Sequence, residues 1–390
     1  MKLGCRSVIL IVAVILFVLA VGLGLRLPVQ LVPDLSFVFA TVGTQLEEHE
    51  EGRVPQMDEY TGHRPLSVEK YTTTNSRIDE SACADECEWL QEQQRRRSTV
   101  QNACGNYIQR ITKDVLSYIL VSDAYKVLYC VIPKVACSNW KSAMLLLNGK
   151  HVKDPHSAFI PSLKTFSDEE VERRLRDYTK FMIVRNPHER LLSAYIEKFV
   201  KESSFTLPIQ RKFGPIIRKN KFKYLTKKYA NSTGNSKKKT RLMKDSSKVS
   251  FQEFIRYVGD PANKLDIAAE QHWREMYRLC SPCSIQYDFI GKLETITEDS
   301  NYILSHIGAT YLTSIVQAKP HHATNSSSAG KVQKAYEQVT EEDVLQFEKR
   351  FERDMALFGY QRPTSITGFK SEDDDRKDAL RELSRYKNKV

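Results

Sequence analysis

Two short stretches hold residues whose types and spacing suit the binding of phosphate-like anions. In the first, residues 128–147 (LYCVIPKVACSNWKSAMLLL), Lys134, Ser138 and Asn139 fall between an apolar run and a helical pattern. The run 127–132 reads as a buried strand, Pro133 interrupts it, and Trp140, Ala143, Met144 and Leu147 recur at helical spacing. A strand that turns straight into a helix leaves the N–H groups of the first turn unpaired, and a nearby ammonium and hydroxyl complete an anion site. The second stretch, RNPHERLLS at 185–193, also follows an apolar run, and Pro187 suits the first position of a helix. Arg185 offers a planar fork of donors that matches a phosphate dianion better than a lysine does, and Ser193 follows eight residues later.

The loop of nucleoside-triphosphate enzymes, GxxxxGK[ST], is missing, and Lys134 precedes the turn instead of opening the helix. Kinase and GTPase chemistry is therefore set aside. The order P-K-x-x-x-S-x-W resembles the 5'-phosphosulfate loop of sulfotransferases. In full, PKVACSNWK (133–141) resembles the Golgi carbohydrate sulfotransferases of the chondroitin/dermatan 4-O and HNK-1 types. Arg185 and Ser193 resemble the pair that holds the 3'-phosphate in that family. HW at 272–273, LCSPC at 279–283 and YDFIGKLE at 287–294 continue the likeness in the same order, over about residues 95–360. Asn186 and His188 stand where the family often has an acid and an aromatic.

The resemblance implies transfer of a sulfuryl group from 3'-phosphoadenosine 5'-phosphosulfate (PAPS) to a sugar hydroxyl, without a metal. Pro133, Lys134, Val135, Ala136, Cys137, Ser138, Asn139 and Trp140 would hold one end of the donor, and Arg185, Asn186, Pro187 and Ser193 the other. Lys134 would also act catalytically at the leaving phosphate. His156 and His272 titrate near neutrality and are candidates for the base, with His156 preferred and His151, Glu189 and Glu270 left open. The expected acceptor is the 4-position of N-acetylgalactosamine in chondroitin or dermatan. Glucuronate of a terminal glycan is the alternative, and so is a catalytically silent glycan-binding protein, against which intact Lys134, Arg185 and Ser193 speak.

These residues need a frame that brings two distant turns to one edge. Alternation of strand, helix, strand and helix predicts an α/β fold, a parallel sheet flanked by helices, whose ligands bind beyond the carboxyl ends of the strands, and the resemblance implies the P-loop-like sulfotransferase form of it. Ser167 with Glu170 and Ser250 with Glu253 read as capping boxes opening helices, and Thr340 opens a last helix with Phe347, Phe351 and Phe358 on its buried stripe. A polar helix is expected over 83–97 with Arg95, Arg96 and Arg97 on a solvated face, one helix or two short ones over 107–120, and a mobile tail after Tyr360.

An excess of 11 positive charges at pH 7 points to a polyanionic partner, whether nucleic acid, anionic lipid or acidic polysaccharide. Residues 8–25 are apolar and uncharged, with Lys2 and Arg6 before them. At ~1.5 Å per residue they span ~27 Å, enough for a membrane anchor that leaves the short N-terminal side cytosolic. The expected order is cytosolic tail 1–7, transmembrane signal anchor 8–25, lumenal stem 26–95, catalytic domain 96–362 and polar tail 363–390, in the Golgi membrane. That location removes nucleic acid as a partner and favours an acidic glycan. Residues 203–244 carry many Lys and Arg with no Asp or Glu, an insert suited to guiding such a chain. Asn231 and Asn325 head glycosylation sequons. Cys83, Cys87, Cys104, Cys130, Cys137, Cys280 and Cys283 are odd in number, so at least one is free or intermolecular. The CxxC at 280–283 lacks a second half for zinc, and a disulfide role is expected.

Overall fold

The computed structural model describes residues 80–229, 249–263, 270–318 and 324–388. The anchor expected at 8–25 and the sequon at Asn231 lie outside them. Among the described residues no helix is long and apolar enough to cross a membrane.

A polar, N-terminal helix α1 (Glu80–Cys104) leads to a four-stranded sheet: β1 (Ile119–Ser122), β2 (Val127–Cys130), β3 (Thr179–Val184) and β4 (Phe289–Lys292), in that spatial order. β2, β3 and β4 run parallel, whereas β1 pairs antiparallel with β2. The sheet is thus mixed rather than wholly parallel. The four-residue turn at 123–126, closed by Lys126 at φ +47°, is far too short for a crossover and can only reverse the chain. In place of the helices expected over 107–120 there is one helical turn, Lys113–Ser117, followed by β1. All four β1 residues are buried, so its apolar run lacks the alternation that marks a half-exposed strand.

From β2 the chain crosses through α2 (Cys137–Leu147) and α3 (Asp168–Asp177), the latter opened by the Ser167–Glu170 capping box, to β3. From β3 it passes through α4 (Pro187–Tyr195), a π-helical turn (Ile196–Val200), α5 (Leu207–Tyr229), α6 (Phe251–Gly259) and α7 (Met276–Cys280) to β4. Then follow α8 (Ile296–His306), α9 (Ala329–Tyr336), α10 (Glu341–Phe358) and α11 (Glu372–Asn388). One apolar cluster surrounds the sheet, and a second joins α4, α6 and α10 around Phe254, Tyr336 and Phe347. Trp273 belongs to this second cluster, edge-on to Phe213 at 5.0 Å and to Phe254 at 5.3 Å, and it anchors the backbone that carries His272.

The flanking helices are held by buried charge. Asp299 accepts from Trp89 Nε1 at 2.9 Å, Gln93 Nε2 at 3.2 Å and Arg96 Nη1 at 2.9 Å. Arg96 also donates to Ile290 O at 2.8 Å. Arg96 is therefore a buried clamp and not part of a solvated face. At the other end Arg256 donates to Asp343 at 2.7 Å and Asp375 at 3.3 Å, which docks α11 where a mobile tail was expected. Disulfides join Cys104 to Cys283 and Cys130 to Cys280, so the two cysteines of the CxxC pin α1 and β2 to one segment and are not zinc ligands.

Candidate active site

β2 ends at a turn where two non-glycine residues adopt left-handed backbone conformations, Lys134 at φ +74° and Ala136 at φ +63°. Such strain collects where a loop must present its N–H groups. Ala136 caps α2 without a side-chain hydrogen bond, so the first-turn N–H groups and the positive end of the helix are left to an anion. The Ser138 hydroxyl, in this first turn, lies 2.9 Å from His156 Nε2. The Asn139 amide instead donates to Val316 O at 2.8 Å and Ala318 O at 2.7 Å, bracing the loop. Val135 and Trp140 are fully buried, the indole packed 4.6 Å from the Phe181 ring. Cys137 is half-buried and in no disulfide.

β3 ends at the second corner. Asn186 caps α4, its Oδ1 accepting from His188 N at 3.0 Å while its amide donates to Gln361 O at 2.8 Å, and Pro187 is the first helical residue. Arg185 is buried and donates to Ser326 Oγ at 3.0 Å and Ser327 Oγ at 2.7 Å, while its Nε has no partner among the described residues. Ser193 Oγ lies 3.0 Å from Thr324 Oγ1, which in turn lies 2.7 Å from Ser326 Oγ. Arg185 and Ser193 thus meet one cluster of hydroxyls. His188 points the other way, into the core, with Nε2 2.8 Å from Glu348 Oε1.

The corners touch. Arg185 Nη1 donates to Lys134 O at 3.2 Å, and the fully buried Arg190 donates to Pro133 O at 3.0 Å, Arg274 O at 2.8 Å and Gln271 O at 3.1 Å. Adjacent parallel strands bring the two turns to one edge, and these guanidinium groups fix their separation.

Comparison with known proteins agrees with this arrangement. Residues 117–361 match the model of the sulfotransferase family. The chain belongs to that family. It is 34% identical over 321 residues to carbohydrate sulfotransferase 10 of Xenopus laevis, covering 77% of this chain and 83% of that protein. It is 31% identical over 267 residues to carbohydrate sulfotransferase 11 of Mus musculus, covering 66% and 70%. No solved structure matches. Membership makes PAPS the sulfate donor of this enzyme.

The residues of the sulfotransferase fit such a donor: N–H groups at α2 without a side-chain cap, a guanidinium nitrogen on Arg185 unpartnered among the described residues, and the ammonium of Lys134. That ammonium, Lys134 Nζ, contacts the Glu197 carboxylate, whose other oxygen accepts from Lys198 Nζ at 2.9 Å. Burial pushes Lys134 down to about 7, with the charges of Lys198, Arg185 and Lys201 adding to the effect. The Glu197 ion pair works in the opposite direction. Burial likewise lowers Arg185.

His272 Nδ1 contacts the Glu270 carboxylate, which sets the ring proton on Nδ1 and leaves Nε2 as an acceptor. Burial lowers His272, against the pull of Glu270, with Lys198 and Lys134 adding to the lowering. His156 is lowered by burial and by Lys141, and His272 is among the charges that act on it. Lys134 and His156 are both within electrostatic reach of His272. Glu189 lies 3.5 Å from Arg185, and His151 is exposed.

Sequence reading passed over Glu197, the clamp role of Arg190, and the hydroxyls at 324–327. Two signals were available: a single acid between Lys198 and the α4 stripe, and a run of five hydroxyl-bearing or amide residues, 324–328, after Ala323.

Proposed function

We propose that this sulfotransferase modifies an acidic glycan, with the 4-hydroxyl of N-acetylgalactosamine in chondroitin or dermatan as acceptor. The observation that carries the reading is the contact between the two corners, because a protein that only bound glycans would have no need to join a lysine-bearing turn to an arginine-bearing one. When bound, PAPS supplies the sulfuryl group. Lys134 and the α2 N–H groups stabilise negative charge at the loop, and Arg185 with Ser193 and Thr324 orients the far end. The base is assigned to His272 in preference to His156. Glu270 steadies the imidazolium that forms when Nε2 takes the acceptor proton, whereas His156 Nε2 is already engaged with Ser138.

Charge supports the acidic acceptor: the net charge is +11, and exposed Arg211, Lys212 and Lys219 lie on α5 just beyond the turn that carries Glu197. Two disulfides suit an oxidising compartment, in keeping with a Golgi enzyme anchored through 8–25. The alternative acceptor, glucuronate of a terminal glycan, would use the same donor site. Transfer of labelled sulfate to a panel of desulfated glycosaminoglycans and to a glucuronate-terminated oligosaccharide tests the reading, and disaccharide analysis of the product locates the hydroxyl. Absence of transfer to every acceptor, with the adenosine 3',5'-bisphosphate complex forming normally, would leave a binding protein.

A further inference from the structure

Next to Glu270, the partner of His272, lies a cavity of about 370 Å³, bounded by Tyr118, Leu120 and Val131 on the sheet side and by Lys141, Glu270 and Gln271 on the other. This is within the range of small-ligand sites, ~300–1,000 Å³. Two of its walls belong to the reaction centre. Lys141 stands one turn after Ser138 on α2, close enough for its charge to act on His156, and Glu270 is the partner of His272. The sheet-side wall is fixed, since Val131 N donates to Tyr118 O at 2.8 Å and the Arg274 guanidinium sits 5.5 Å from the Tyr118 ring centroid. Lys141 is half-buried, and among the described residues no acid pairs with it.

We propose that this cavity is the subsite for the sugar next to the one that reacts, and that Lys141 reads the carboxylate of a hexuronate placed there. The inference rests on the glycan acceptor proposed above and adds which of its residues is recognised, and by what. A hexuronate presents one carboxylate at one end of a ring that is otherwise hydroxyls and C–H faces. The cavity presents one unpaired ammonium, the Gln271 amide and the Glu270 carboxylate as hydrogen-bonding groups, and the edge of an aromatic wall. Glu270, which is held by His272, is left to accept hydrogen bonds from the hydroxyls of that ring. Lys141 is thus a specificity-determining residue, set about one helical turn from the group that holds the donor loop.

The test compares kcat/KM for a hexuronate-containing acceptor and for its carboxyl-reduced counterpart, in the wild type and in Lys141→Ala and Lys141→Arg. The wild type should prefer the carboxylate form about tenfold, the worth of one charge-assisted hydrogen bond. Lys141→Ala should abolish that preference through KM, Lys141→Arg should restore most of it, and adenosine 3',5'-bisphosphate should bind all three proteins alike in calorimetry. An unchanged preference in Lys141→Ala, or equal losses on both acceptors, overturns the inference while leaving the sulfotransferase reading intact. Weakened bisphosphate binding in Lys141→Ala overturns it too, by moving Lys141 into the donor site. A wild type that transfers sulfate to no glycan removes the parent reading first.

Discussion

Binding of adenosine 3',5'-bisphosphate should draw a proton onto Lys134. Burial sets this ammonium to about 7 in the free protein, so at pH 8 only about one molecule in ten carries the charge. A phosphate group arriving beside it displaces the single charge of Glu197 with a dianion and favours the protonated form. If the bound value rises two units or more, binding at pH 8 takes up about 0.8–0.9 proton, and at pH 6 about 0.1. Affinity should then fall about five- to ninefold between pH 8 and pH 9, and level off once the pH passes the bound value. Calorimetry in buffers of differing ionisation enthalpy reads the proton number as a slope. Lys134→Met should remove most of that slope at pH 8, and Glu197→Gln, which deprives the free ammonium of its partner, should increase the uptake at pH 7. Equal slopes in wild type and Lys134→Met would refute the reasoning. For stability the sign is also fixed. The folded value lies below the unfolded one of 10.5, so the unfolded chain holds more protons between pH 7 and 10.5, and this group's contribution to stability rises with pH through that window.

Arg190→Met leaves Pro133 O, Arg274 O and Gln271 O without their donor and should cost about 3 kcal/mol in urea unfolding, with weaker bisphosphate binding; a loss under about 1 kcal/mol would show that the guanidinium does not hold the loop. Replacing Cys130 and Cys280 together by Ala opens a bridge that spans 150 residues and should lower stability by ~2–5 kcal/mol in thermal unfolding. His272→Ala should reduce kcat ~10²–10⁴-fold with bisphosphate affinity nearly unchanged, whereas His156→Ala should mainly weaken that affinity through Ser138; the reverse pattern would return the base to His156.

The donor loop was legible because several local signals coincide there: an apolar run, a proline that stops it, and a lysine and serine flanking a helix start. The capping boxes at Ser167 and Ser250 were legible for the same reason, since both partners lie within four residues. The flanking helices were harder to read. Arg96 looks solvated in sequence because its partner, Asp299, is 203 residues away, and α11 looks like a polar tail because Arg256 lies 119 residues before Asp375. β1 was hidden by its neighbour, a helical turn of only five residues. At the site, Lys134 and Arg185 announced themselves by position after a strand. Glu197 and the hydroxyls of Thr324 and Ser326 did not, because only the folded chain carries them across 63 and 141 residues to their partners.

The tripeptide at 325–327 has a double allegiance. Asn325, exposed and in a left-handed conformation at φ +48°, heads a glycosylation sequon, while the hydroxyl of Ser327 that a glycan-attaching enzyme would have to recognise is spent on Arg185 and Glu189 once the chain has folded. Any sugar joined to Asn325 has to be attached before that corner closes. Erasing the tripeptide through Ser327→Ala would injure nucleotide binding as well, so Asn325→Asp, which tolerates the same backbone, is the substitution that separates the two.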